Sequence, residues 1–258
     1  MKKIPIMFIG HGSPMNAIES NPFTEKLKQI RELYPMPEAI VCISAHWLTD
    51  GTWVTRMKNP RTIHDFYGFP QSLFDIQYKA PGSPKTADLI ITNITSTKVE
   101  ADEKNWGLDH GTWSVLRHIY PEANVPVVQL SIDISKPAQY HYDLGTQLKT
   151  LREHGVLIVG SGNIVHNLSK IKWESKDKPY DWAIEYDQWV KKQLVERNFK
   201  SLIDEYTSSQ AGKLSVPTPE HYYPLLYILG ASNQNDSLEF KYEEIQNGSI
   251  SMRTLSFK

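Results

Sequence analysis

Residues 4–13 read Ile-Pro-Ile-Met-Phe-Ile-Gly-His-Gly-Ser, an apolar run without polar alternation that passes straight into a histidine between two glycines. A run of this kind marks a strand covered on both faces, because alternation is lost when neither side meets water. The same reading holds for 39–45, 125–132 and 156–159, all rich in Ile and Val. Helical spacing lies between and beyond them. It covers 23–34 after Asn21-Pro22, 86–93, 140–154 with Gly155 as terminator, and 181–199. In the last of these, Trp182, Tyr186, Trp189, Val190 and Leu194 make the strongest amphipathic pattern in the chain. Alternating strand and helix without a composition break predicts one domain over 1–258. Its architecture is a three-layer α/β/α fold on a mixed, largely parallel sheet, with the active site at the carboxyl ends of the strands.

Three segments stand apart. Residues 59–82, where prolines and glycines punctuate aromatic side chains, predict an ordered loop with short strands, the sort of segment that serves as a lid or binding wall. Residues 210–219 read as an irregular connector, and 250–257 alternate as an added antiparallel strand.

Composition narrows the partners. The 258 residues hold 28 Lys plus Arg against 29 Asp plus Glu, 40% hydrophobic and 22% charged residues, one Cys and nine His. These are globular averages, which exclude disorder and fibrous folds. A net charge of −1 gives no basic footprint for nucleic acid and no polybasic membrane anchor, so the expected partners are small molecules. A monomer or small homo-oligomer is expected, and nothing in the sequence decides between them. One cysteine forms neither an intramolecular disulfide nor a four-Cys metal site, so imidazole and carboxylate must hold any metal. The apolar run before His11 is too short for a secretory segment, and nothing approaches the roughly 18 apolar residues of a membrane span. The expected location is the cytoplasm.

Three apolar runs lead into histidines: His11, His46, and His166 beyond Gly160-Ser161-Gly162. Loops at the carboxyl ends of strands converge in such folds, so these three imidazoles can meet. His221 is a fourth candidate. Thr218 and Pro219 suit the cap and first position of a helix, which places Glu220 and His221 in its first turn, where the positive helix end keeps imidazole neutral and able to bind metal. His110, in a loop before a helix, is the fifth. His64, His118, His141 and His154 have less to commend them. A structural role is the commoner fate of any single histidine, and it is the shared strand-end placement beside glycines that sets the first five apart.

Rival motifs fail. Val165 stands where a dinucleotide loop needs its third glycine, and His11 stands where a nucleophile elbow needs its first. Cys42 lies four strand residues before His46, about 13 Å away at 3.3 Å per residue, and reads as a small buried hydrophobe.

The segments His-Gly-Ser-Pro-Met-Asn-Ala (11–17), Ser-Ala-His-Trp (44–47), His-Asp-Phe-Tyr-Gly-Phe-Pro (64–70), Leu-Asp-His-Gly-Thr-Trp (108–113), Gly-Ser-Gly-Asn-Ile-Val-His-Asn-Leu (160–168) and Pro-Glu-His-Tyr-Tyr-Pro-Leu (219–225) together resemble the class III extradiol ring-cleaving dioxygenases, in particular the DOPA 4,5-dioxygenase type. The resemblance implies a catechol substrate opened with O₂ at a mononuclear metal site. It implies Fe(II) for activity, with Zn²⁺ as another occupant of the same histidines. His11 and His46 would be ligands, with the third from Glu220 or His221, the DOPA type favouring His221. His166 would be either the acid/base or a fourth ligand, and His110 a proton or hydrogen-bond donor. Phe66, Tyr67 and Phe69 would wall the ring. Two other readings stay open, a zinc hydrolase with Glu220 as base and a non-catalytic binding protein of the same fold.

Overall fold

The first apolar run forms β1 (Ile6–Gly10), and its side chains divide by period two: Ile6 and Phe8 enter one buried cluster, Met7 and Ile9 another. Both faces of the sheet are therefore covered, as the unbroken apolar run predicts. In this computed structural model, residues 4–172 and 178–258 are described. The other strands are β2 (Ala39–Thr49), β3 (Thr52–Thr55), β4 (Val99–Asp102), β5 (Val127–Asp133), β6 (Val156–Gly162), β7 (Leu238–Tyr242), β8 (Ile245–Gln246), β9 (Ile250–Ser251) and β10 (Thr254–Phe257). Eight of them make one mixed sheet in the order β4-β3-β5-β2-β6-β1-β10-β7, and β8 and β9 form a separate ribbon. The central strands β5, β2, β6 and β1 are mutually parallel, and β10 adds antiparallel to β1. Helices Pro22–Glu32 and His110–Ile119 cover one face, and those at Ala138–Leu148, Asp181–Val195 and Tyr223–Ala231 the other.

Register positions the site. In β1 and β6, Gly10 pairs with Gly162; in β2 and β6, Ser44 pairs with Ser161. Gly10, Ser44 and Ser161-Gly162 therefore stand at one level on three adjacent strands, with His11, His46 and the segment bearing His166 just beyond it. His46 does not follow the end of its strand, as expected. Pairing of β2 with β5 jumps from Ile43↔Leu130 to Leu48↔Ile132, so His46 lies in a bulge within β2. A bulge bends the strand and re-aims its side chains.

Several local expectations change. The 181–199 pattern breaks after Val195, where Arg197 takes a positive φ of 54°, and resumes as Phe199–Asp204. Residues Gln210–Ser215 form a short helix capped by Ser209, whose hydroxyl accepts from the Gly212 N–H. Segment 59–82 holds no named strand; it has an isolated bridge from Thr62 to Leu108 and a short helix at Gln71–Phe74. The Asn21 cap and Pro22 start hold as read, and Gly155 ends its segment at φ 73°. No helix among the described residues is long and apolar enough to cross a membrane.

Candidate metal centre

Five histidines converge at the carboxyl ends of β1 and β6 and the bulge of β2. His11, His46 and His110 offer nitrogens all within 4.8 Å of one another, and His166, Glu220 and His221 form a second such group. His221 joins the two: its ring centroid lies 5.4 Å from that of His11, 5.1 Å from that of His46 and 3.5 Å from that of His166, on which it stacks. The structure thus gathers every expected site residue, and it groups His110 with His11 and His46 as closely as any.

Four of these rings, His11, His46, His110 and His221, set Nδ1 against an orienting partner. The Ser161 hydroxyl donates to the Gly111 carbonyl at 2.5 Å, so its oxygen must accept from His11 Nδ1–H at 3.0 Å. That bond fixes the tautomer and turns the His11 Nε2 lone pair inward. Asp65 Oδ2 lies 2.8 Å from His110 Nδ1 and 3.4 Å from His46 Nδ1, and Asp65 Oδ1 accepts from the His110 backbone N–H at 2.8 Å. Glu220 Oε1 stands 3.1 Å from His221 Nδ1 and accepts from the Thr218 hydroxyl at 2.8 Å. In consequence His11 Nε2 and His46 Nε2 face each other at 3.2 Å. Two imidazole nitrogens bound to one ion at 2.0–2.1 Å, at tetrahedral to right angles, stand about 2.9–3.4 Å apart. The donor set therefore fits a single metal ion.

Burial sets the charge state. His11, His46 and His221 are held well below the usual imidazole pKa, first by burial and then by neighbouring imidazoles, although the Asp65 charge pulls His46 the other way. His166 is pushed down to about 4 by burial and then by His110. All four are neutral at pH 7, the form that carries a free lone pair. Helix polarity was the expected cause at His221. The regular helix starts only at Tyr223, with Pro219–Tyr222 in a preceding turn, and burial among imidazoles is the main cause. Burial alone would raise the Asp65 carboxyl, but its hydrogen bond and charge interaction with His110, then the charge of His46, hold it at about 2.

A polar floor supports the rings. His110 is the first residue of its helix rather than part of a loop, with Asp109 as cap: Asp109 Oδ1 accepts from Thr112 N–H and the Ser44 hydroxyl, and Oδ2 from Gln129 Nε2. Gly111 permits the approach of His46, since a Cβ there would stand 2.5 Å from Ser44 Oγ and 2.9 Å from His46 Cδ2. Sequence reading missed Asp65, Ser161, Ser44 and Gln129. Asp65 alone carried a signal, a carboxylate inside a tract of aromatic residues.

Phe66 and its neighbours form a wall. The Phe66 ring sits 5.6 Å from that of His110 and packs on Phe69, Phe74 and Trp113. Tyr67 departs from the expected wall, being 92% exposed. The remaining histidines serve the fold: His64 Nε2 bonds the Ile76 carbonyl, His118 Nε2 the Asn16 carbonyl, His141 Nδ1 the Tyr227 hydroxyl, and His154 is exposed. Two open clefts, one containing Arg61, Gln77 and Lys79 and the other Tyr186, Trp189 and Glu205, include none of the nine.

A family model described as the catalytic LigB subunit of aromatic ring-opening dioxygenase matches residues 5–255. A protein of Escherichia coli K12 named 4,5-DOPA dioxygenase extradiol is 46% identical over 252 residues, covering 97% of this chain and 93% of its own. One of the same name from Beta vulgaris is 38% identical, covering 97% and 95%. A crystal structure of an Escherichia coli K12 protein titled uncharacterized superposes with a TM-score of 0.87 at 41% identity, covering 99% of this chain and all of that one.

Proposed function

The chain belongs to the LigB family of aromatic ring-opening dioxygenases, and from that premise we propose that it opens a catechol such as DOPA beside its two hydroxyls, taking both atoms of O₂ into the product. The observation that carries this reading is the 3.2 Å approach of two neutral Nε2 atoms whose Nδ1 atoms face Ser161 and Asp65. His11, His46 and His221 are assigned as metal ligands. The third place goes to His221 rather than Glu220, because Glu220 sits against Nδ1 of His221 and so stands behind it. Fe(II) held there would supply the electron exchange between ring and dioxygen that ring opening needs, and Zn²⁺ would not, since it has no redox change.

The chain's own residues do the rest. His166, neutral and stacked on His221, is placed to take the proton of a catechol hydroxyl. His110 presents Nε2 to the centre with Asp65 against Nδ1, an arrangement that stabilises the imidazolium formed when Nε2 gains a proton. That proton, the other of the two released by the catechol hydroxyls, is then available to an oxygen of the opening ring. Phe66 and Phe69 hold the aromatic ring and keep water from it. Strands from residues 6 to 257 share one sheet, which supports treating the chain as one catalytic unit.

Protein loaded anaerobically with Fe(II), then given DOPA and oxygen, should consume oxygen and form a yellow ring-opened product. No oxygen uptake with DOPA or any other catechol would overturn the assignment. A hydrolase with Glu220 as base finds no support in this geometry, because that carboxylate already serves His221 and Thr218.

A further inference from the structure

We infer that Asp65 is the positioning residue of the centre: one carboxylate sets the tautomers of both His46 and His110, and so ties the metal-holding nitrogen of one to the proton-carrying nitrogen of the other. The roles given to the two histidines rest on the function proposed above; the tautomers do not.

Three nitrogens converge on this carboxylate, two from His110 by hydrogen bonds and one from His46 by a longer charge contact. The His110 backbone N–H reaches Oδ1 at 2.8 Å, while Nδ1 of His110 at 2.8 Å and Nδ1 of His46 at 3.4 Å share Oδ2. An ionised carboxylate is an acceptor only, with about four lone-pair sites, so it has room for all three. A ring turned to the other tautomer would set an Nδ1 lone pair against a carboxylate oxygen in a largely water-free place, where the Asp65 side chain is 18% exposed. His110 therefore carries hydrogen on Nδ1 and turns Nε2 to the centre, and the charge of Asp65 beside His46 Nδ1 favours the same tautomer there. Elsewhere in the site each orienting group serves one ring, Ser161 for His11 and Glu220 for His221. Asp65 serves two, with ring centroids only 3.9 Å apart. It is also joined to the wall, since the next residue is Phe66, packed against His110. A shift of this loop therefore reaches the ring pocket, the metal and the proton carrier together.

Asp65→Asn tests the idea, because an amide keeps the shape but offers one acceptor atom to three donors. In long-range ¹H–¹⁵N spectra of metal-free protein at pH 8, the wild type should show His46 and His110 as Nδ1–H, and the variant should turn at least one to Nε2–H. Co²⁺ titration of the variant should give an affinity lower by roughly 10–100-fold, and kcat should fall with KM almost unchanged. Nε2–H on either ring of the wild type overturns the inference, as do unchanged tautomers and Co²⁺ affinity in the variant. Should the variant not fold, the wild-type tautomers alone decide. These spectra need neither metal nor catechol, so a protein that opens no catechol would sink the proposed function and leave this result standing.

Discussion

His166 and His141 lie on different elements of the fold and share one property, a pKa pushed down to about 4 mainly by burial. Their surroundings differ. His141, on the helix Ala138–Leu148, stacks on Tyr223 at 4.1 Å and bonds the Tyr227 hydroxyl, alone among tyrosines. His166 stacks on another histidine, at the rim of five imidazoles. A depressed pKa therefore does not by itself mark a centre. A centre is marked by several Nε2 atoms aimed at one point, each with an orienting partner behind it.

The largest expected effect separates the two regions outright. His46→Ala should lose the bound metal and all measurable turnover, while His141→Leu should keep a full complement of metal by elemental analysis. Metal retained by His46→Ala would break the distinction. A smaller effect sharpens it within the centre. His166→Ala should keep its metal and lose roughly 10²–10⁴ in kcat, the usual worth of a positioned acid or base; loss of the metal would make His166 a ligand instead. The smallest is shared by both regions and concerns acid. Each histidine binds its proton less readily folded than unfolded, so stability is fully present above pH 6.5 and falls as the pH drops toward 4. For His141 the loss by pH 4 is about 3 kcal/mol at most. Urea unfolding of metal-free protein at pH 7.5 and 4.5 should show that decline, and His141→Leu should make it shallower.

What could be read from sequence follows how local each cause is. Strands buried on both faces declare themselves as unbroken apolar runs, and Gly10-His11 and Gly162 fall at strand ends whatever else the chain does. The short strands Thr52–Thr55 and Val99–Asp102 carry too few residues to show a period, and β7 is largely half-exposed. The bulge that aims His46 is a mismatch between β2 and β5 and exists only once they pair. Asp65 was hidden for the same reason. Its partners lie 19 residues before it, at His46, and 45 after, at His110, and only closure of an aperiodic loop brings them together. That histidines would meet beyond these strands was thus legible, because backbone geometry brings the strand ends together. The orienting groups were not, because side chains distant in sequence supply them.

The strand carrying His11 lies between β6 and β10, and β10 comes from residues 254–257. Its two neighbours therefore become available at very different times during synthesis. The ribosome makes β1 first, β6 later and β10 later still. Contacts this distant in sequence form slowly. Closure of the sheet around His11 should accordingly come late in folding, and the unpaired edge of β1 is where premature association would begin.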